Sequence, residues 1–320
     1  MAIKEQEINE RYAVYNGDCM EVLPEIKSES IHFTIYSPPF SDLYNYSSSP
    51  RDLSNSSSYE EFMEHYEFLV KEIHRITLKG RLSAVHCMDI PEKGDKGFND
   101  FPGDIIRLHQ RLGFYYVGRR QIWKEPLRMA IRTRSKGLMH RQIVKDSAYC
   151  NVASADTLLT FRKAGENKVP IENEFGLLEY AGEDAPSTDL ILKYKNWADP
   201  KTNKLSHFIW QRYASSVWMD IRIGNVLKYR TARDSEEEKH VCPLQLDVID
   251  RCIDLWTNKG EKVLTPFMGV GSEVYSAVSK NRLGIGIELK DSYYRQAIKN
   301  IREAVIEGGR NGQKNLFETV

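Results

Sequence analysis

At 320 residues, with 41% hydrophobic and 28% charged side chains, the chain is long enough for one large domain or for a domain carrying a substantial insertion. Forty-five Lys and Arg balance 45 Asp and Glu, so no global charge advertises a polyanion partner. No apolar run is long enough to span a bilayer, the start "MAIKEQEINERY" is too charged for a signal peptide, and the five scattered cysteines form no CxxC pair. A membrane protein, a disulfide scaffold and a structural zinc site are thereby excluded, and a cytoplasmic protein with reduced thiols is expected.

In chain order, "YAVYNGDC" and "IHFTIYS" read as strands joined by the short helical turn "MEVLPEIKSES". The second strand stops at Ser37-Pro38-Pro39-Phe40 and gives way to a loop of Ser, Asn and Tyr. Proline cannot continue a ladder, and it pushes the residue before it towards extended backbone. A helix follows Ser58, where Ser58-x-x-Glu61 forms a capping box. Phe62, Tyr66, Leu69, Ile73 and Ile76 give it one apolar stripe, and Gly80 is expected to end it. "RLSAVHCMDI" is the next strand, "PGDIIRLHQRLGF" the next helix and "YYVGRRQIW" another strand. Strands alternating with helices predict a parallel α/β sheet.

The alternation fades from about Pro126 to Arg230, which reads as an insertion rather than more of the same sheet, with "LLTFRK" and "DLILKY" as isolated strand candidates. Between Lys124 and Lys145 this region carries Arg128, Arg132, Arg134, Lys136 and Arg141 against a single acid, Glu125. A nucleic-acid contact and a solvated helix face both fit such a run. Alternation then resumes: "PLQLDVIDRCIDLW" is helical, "KVLTPF" a strand, "SEVYSAVSKN" a helix, "RLGIGIEL" a strand and "SYYRQAIKNIREAV" a final helix. The polar tail "EGGRNGQKNLFETV" is expected to fray.

Four strand ends carry candidate chemistry. In "VLTPFMGVGSEVY" a glycine-bearing turn joins a strand to a helix; Gly269 and Gly271 permit tight backbone, and the helix start offers free N–H groups. The turn lacks both GxGxxG and the Lys of a P-loop, so dinucleotide and NTP sites fit poorly. Glu288, at the tip of the next strand, could accept both hydroxyls of a ribose. Asp18 could accept from an adenine amine or simply cap the short helix behind it. At the opening corner, the Ser37 hydroxyl and a carbonyl held rigid by the prolines could together accept both hydrogens of an aromatic amine, with Phe40 offering a face for stacking. Drawing both hydrogens to one side takes the nitrogen lone pair out of conjugation and aims it at an electrophile.

"NGDC", "SPPF", "TPFMGVGS" and "GIGIEL", in this order, resemble the motifs of the β-class DNA amino-methyltransferases, which use S-adenosyl-L-methionine. "SVWMDI" and "HVCPLQ" look like the strand before the cofactor half and the motif that opens it. The resemblance implies a Rossmann-like methyltransferase fold, an α/β architecture with a mostly parallel twisted sheet, circularly permuted, with a target-recognition insertion. It divides the chain into a catalytic half (1–125), a DNA-binding insertion (126–230) and a cofactor-binding half (231–320). By position, Ser37 and Pro38 would hold the target amine, Pro39 would fix the turn and Phe40 would stack on a flipped base. Pro266, Phe267, Gly269 and Gly271 would line the methionine side of the cofactor, with Ser272 opening the helix. Glu288 would hold the ribose and Asp18, beside Cys19, the adenine, while the segment with His240 and Pro243 would close over the methionine end. Arg128, Arg132, Arg134, Lys136 and Arg141 would contact DNA phosphates.

Thr265 stands where the family usually has Asp, and "HVCPLQ" is a loose version of its motif. Ser at the head of the proline motif is more like the cytosine-N4 members than the adenine-N6 members, so N4-methylcytosine is the favoured product and N6-methyladenine the alternative. A catalytically silent DNA-binding relative and a protein glutamine methyltransferase are the remaining readings. Cytosine-C5 chemistry needs a Cys nucleophile in a fitting turn, and none is present. The partners admitted are double-stranded DNA, a second copy in a homodimer, and a cognate restriction endonuclease acting separately; no membrane and no metal is called for.

Overall fold

The computed structural model describes residues 3–39, 56–92, 97–133, 139–150, 152–173, 177, 180–184, 187, 189, 204–229, 232 and 243–317. From the amino terminus, β1 (Ile3–Ile8) and β2 (Tyr12–Gly17) lead through α1 (Cys19–Val22) to β3 (Ile31–Tyr36). Then come α2 (Tyr59–Ile76), β4 (Thr77–Cys87), the short β5 (Ile90–Pro91) and β6 (Phe98–Asn99), α3 (Phe101–Arg111) and β7 (Phe114–Ile122). The middle of the chain holds α4 (Pro126–Thr133), α5 (His140–Lys145), β8 (Asp156–Lys163), α6 (Lys204–Ala214) and β9 (Val217–Trp218). The last part is α7 (Leu246–Trp256), β10 (Lys262–Thr265), α8 (Ser272–Ser279), β11 (Leu283–Glu288) and α9 (Asp291–Phe317).

Among the described residues nine strands form one sheet in the order β1-β2-β11-β10-β3-β4-β8-β7-β9. The run from β2 through β4 is parallel, while β1 at one edge and the β8–β7 hairpin side pair antiparallel. Helices cover both faces. Leu264 and Phe161 join α2 and α3 side chains such as Phe62, Tyr66 and Ile105 on one face. Phe33, Ile35 and Val263 meet Val248, Ile249 and Cys252 of α7 on the other, and Val14 meets Val274, Ala297 and Ile301 of α8 and α9. Because both faces of these strands are covered, burial does not alternate along β3 or β10, and the polar Thr34 is buried with its hydroxyl donating to Ser83 Oγ at 2.6 Å.

The topology fixes one edge for chemistry. From β10 the chain crosses by α8 to β11 on one side; from β3 it crosses by α2 to β4 on the other. β10 and β3 are parallel neighbours, with Val263 opposite Phe33 and Leu264 opposite Thr34, so their carboxyl ends open side by side at the point where the strand order reverses. Crevices at such switch points are where doubly wound sheets hold ligands.

Several expectations need correction. The 126–230 stretch is not outside the sheet: β8 pairs with both β4 and β7, and Val217–Trp218 adds a parallel edge to β7. The six residues from Asp156 to Phe161 are all buried, and the polar loops around them obscure that run in the sequence. Gly80 does not end α2. Thr77 does, donating to the Ile73 carbonyl through its backbone N–H and its hydroxyl (2.6 Å), and Gly80 falls within β4 where the register against β3 shifts. α9 continues through most of the tail expected to fray, to Phe317. The capping box differs in detail: Ser58 accepts from Glu61 N, but Glu61 reaches back to Ser57 N at 2.6 Å. "DLILKY" beyond Asp189 lies outside the described residues. Among the described residues no helix is long and apolar enough to cross a membrane.

Candidate functional site

Four parallel strands, β2, β11, β10 and β3, deliver their carboxyl ends to one edge, and each carries a residue picked out from the sequence. At β3, Tyr36 is fully buried, Ser37 half-buried, Pro38 buried and Pro39 half-buried. The Tyr36 ring lies 6.0 Å from that of Phe267, so the proline corner and the glycine turn are in direct aromatic contact across the β3–β10 boundary. Tyr36 is itself pinned from behind by Tyr66, hydroxyl to hydroxyl at 2.9 Å.

At β10 the chain turns through Pro266, Phe267 and Met268 into left-handed backbone at Gly269 (φ 53°) and Gly271 (φ 94°). The two glycines serve different ends. Among the described residues nothing lies within 4 Å of where a Gly269 Cβ would stand, so that face of the turn has room for a ligand; a Cβ on Gly271 would meet Ala297 Cβ at 3.1 Å, so there the turn is pressed against α9. Gly271 is also the N-cap of α8. Glu288 reaches across from β11: Gly269 N donates to Glu288 Oε2 at 2.7 Å and Lys290 N to Oε1 at 2.8 Å. The Asn16 amide, on β2, donates to the Glu288 carbonyl at 3.1 Å, which ties the three strand ends together.

Asp18 accepts from Met20 N at 2.9 Å and caps α1, the local role weighed in the sequence. Cys19 beside it is buried, and burial pushes its thiol up, as it does for Cys87 and Cys252; a thiolate nucleophile is therefore disfavoured at all three. Pro243 is half-buried at the entry to α7, and Leu244 turns into the core. Phe40, Arg134, Lys136 and His240 lie outside the described residues, as does the side chain of Arg132. Arg128 on α4 and Arg141 on α5 are solvent-exposed. α4 starts on Glu125, whose carboxylate accepts from Leu127 N and Arg128 N; those bonds hold its pKa down.

Two sets of residues escape a reading of the sequence. Glu273, in the first turn of α8, is buried; desolvation, with the Glu288 carboxylate adding to it, pushes its carboxyl up to about 8. Its only sequence signal is an acid inside an otherwise apolar run. The second set stands behind Ser37. The Ser37 hydroxyl lies 3.0 Å from the His86 carbonyl and 3.4 Å from His86 Nδ1; His86 Nε2 is 2.9 Å from Asp156 Oδ2, which is 2.9 Å from Lys124 Nζ. These three residues sit at the ends of β4, β8 and β7, far apart in sequence, so no spacing could link them.

The edge can thus do two things. The β3 corner carries the Ser37 hydroxyl, and the β10 turn is flanked by two buried hydroxyls, Thr265 Oγ1 and Ser272 Oγ, that have no hydrogen-bond partner among the described residues. Unpartnered buried polar atoms beside an open glycine fit a polar ligand such as an amino-acid moiety. Among the described residues no cluster of His, Cys, Asp or Glu could hold a metal.

A family model described as DNA methylase matches residues 31–299. The Type II methyltransferase M.BglII of Bacillus subtilis is 22% identical over 284 residues, which is 88% of this chain and 66% of that one. The PvuII DNA methyltransferase (cytosine-N4-specific) superposes with a TM-score of 0.64 at 15% identity, covering 96% of this chain and 95% of that one. A putative DNA modification methylase of Thermus thermophilus, TTHA0409, solved with S-adenosyl-L-methionine, gives 0.59 at 19% identity over 92% and 96%. At these identities the structural likeness is one of fold.

Proposed function

Because the chain belongs to the DNA methylase family, we propose that it moves a methyl group from S-adenosyl-L-methionine to the exocyclic amine of a base flipped out of double-stranded DNA, cytosine N4 before adenine N6. The observation that carries this is the exit of the Ser37-Pro38-Pro39 corner and the Gly269–Gly271 turn from adjacent parallel strands, in aromatic contact through Tyr36 and Phe267. The glycine turn, Glu288 and Asp18 would hold the cofactor, with the Thr265 and Ser272 hydroxyls as partners for its methionine end. Bound there, it supplies a sulfonium methyl as electrophile.

The protein's own part is orientation. The Ser37 hydroxyl takes one amine hydrogen and the Pro38 carbonyl the other, so the lone pair points back towards the glycine turn. Flipping the base costs a few kcal/mol, and fixing the amine against the electrophile returns much of the rate. The methylated nitrogen is acidic and sheds its proton without a strong base. Arg128, Arg132, Arg134, Lys136 and Arg141 hold phosphates of the duplex. The preference for cytosine rests on Ser37 heading the corner, as in the N4 members of the family.

Transfer of tritium from labelled cofactor into plasmid DNA, followed by nucleoside digestion, tests the reading. The expected product is 4-methylcytosine. Label in 6-methyladenine would move the base assignment; label in protein alone, or nowhere despite DNA binding, would overturn the function.

A further inference from the structure

The residues behind Ser37 decide which way its single hydrogen points. Asp156 is 2% exposed, Lys124 6% and His86 7%, so the chain of contacts runs through the protein interior. A carboxylate only accepts hydrogen bonds, so at 2.9 Å from Asp156 Oδ2 the His86 Nε2 must carry a hydrogen. The Lys124 ammonium, 2.9 Å from the same oxygen, compensates the buried charge that imposes this. In the neutral ring the other nitrogen, Nδ1, is then bare. Among the described residues Ser37 Oγ therefore has two inner neighbours, the His86 carbonyl at 3.0 Å and the bare Nδ1 at 3.4 Å, and both are acceptors.

We infer that Asp156, acting through His86, turns the Ser37 hydroxyl hydrogen inward, so that Ser37 can meet the target amine only as an acceptor. The consequence is chemical. A hydroxyl free to rotate could donate to the amine lone pair, the same pair that must attack the methyl. The opposite imidazole tautomer would place an N–H at Nδ1 and engage one Ser37 lone pair from within. His86, Asp156 and Lys124 are positioning residues; none need touch the base. This inference rests on the reading of Ser37 as the partner of the amine, and the experiment separates the two.

The test uses the whole protein with histidine labelled by nitrogen-15, the His86 signals being assigned with H86Q. Long-range nitrogen–proton spectra at neutral pH should show His86 as the Nε2–H tautomer in the wild type. In D156N the amide can donate to Nε2, and His86 should switch to Nδ1–H. D156N should then lose about tenfold in kcat, the worth of one hydrogen bond, with its DNA and cofactor dissociation constants unchanged. D156E, which keeps an acceptor, should restore the wild-type tautomer and most of the rate. A wild-type His86 that is Nδ1–H or doubly protonated overturns the inference whether or not any variant folds. So does a D156N that transfers methyl at the wild-type kcat. If the wild type moves no methyl to DNA, the reading of Ser37 fails, while the spectra still decide the direction of the hydrogen.

Discussion

Two turns leave neighbouring strands of the same sheet and solve opposite problems. After β3, Pro38 and Pro39 remove backbone donors and stiffen the chain. After β10, Gly269 and Gly271 admit left-handed backbone, so that a carboxylate from the next strand reaches Gly269 N at 2.7 Å and Gly271 N turns back onto the Met268 carbonyl at 2.8 Å. One corner gives up backbone donors to gain stiffness; the other commits a backbone donor to binding the strand-end carboxylate of Glu288. Adjacent parallel strands of one sheet can thus end side by side in backbone of opposite character.

The contrast breaks most severely at Ser37. S37A removes the corner's side-chain acceptor without touching the glycine turn. Single-turnover methyl transfer should fall about 100-fold, the scale of losing one preorganised polar contact, with cofactor binding by calorimetry unchanged. On the other side, G271A should act through stability. With φ 94° and Ala297 Cβ 3.1 Å from the new methyl, it should cost roughly 1–3 kcal/mol in urea denaturation. G269A, with open space in front, should cost about 1 kcal/mol and report its effect in cofactor affinity instead. E288Q keeps the shape but loses the charge that its two backbone donors point at. Cofactor affinity should drop about tenfold while duplex DNA binding stays the same.

A pH dependence sharpens the electrostatics of the turn. Glu273 has a carboxyl raised to about 8, so the folded state binds its proton more tightly than the unfolded chain does. Its contribution is present below the ordinary carboxylate range and is lost as pH rises from about 4.5 to about 8. E273Q should remove that loss: its melting temperature should exceed the wild type's at about pH 8 and approach it at about pH 5.

Much of this edge is legible in the sequence because strand ends announce themselves. Pro-Pro after "IHFTIY" and a glycine pair after "KVLT" are interruptions of β-branched and aromatic runs, and parallel topology brings such interruptions to one side. Asp18 shows the limit of that logic, since the same residue at the same place caps α1. β8 misleads for a different reason: a strand buried between two others looks from the sequence like any short apolar segment, and only pairing with β4 and β7 reveals it. β1 is invisible in the sequence because an edge strand with exposed Lys, Glu and Gln has no apolar signal, only backbone bonds to β2. The His86, Asp156 and Lys124 cluster is unreadable in principle, being assembled by antiparallel pairing of strands that are distant in the chain.

A structure with cofactor and a duplex containing the modified site tests the central claim most directly. The expected result is an extrahelical base whose amine lies within hydrogen-bonding distance of Ser37 Oγ, its nitrogen in line with the methyl held above Gly269. A base bound elsewhere, or a Ser37 hydroxyl remote from that nitrogen, would contradict it.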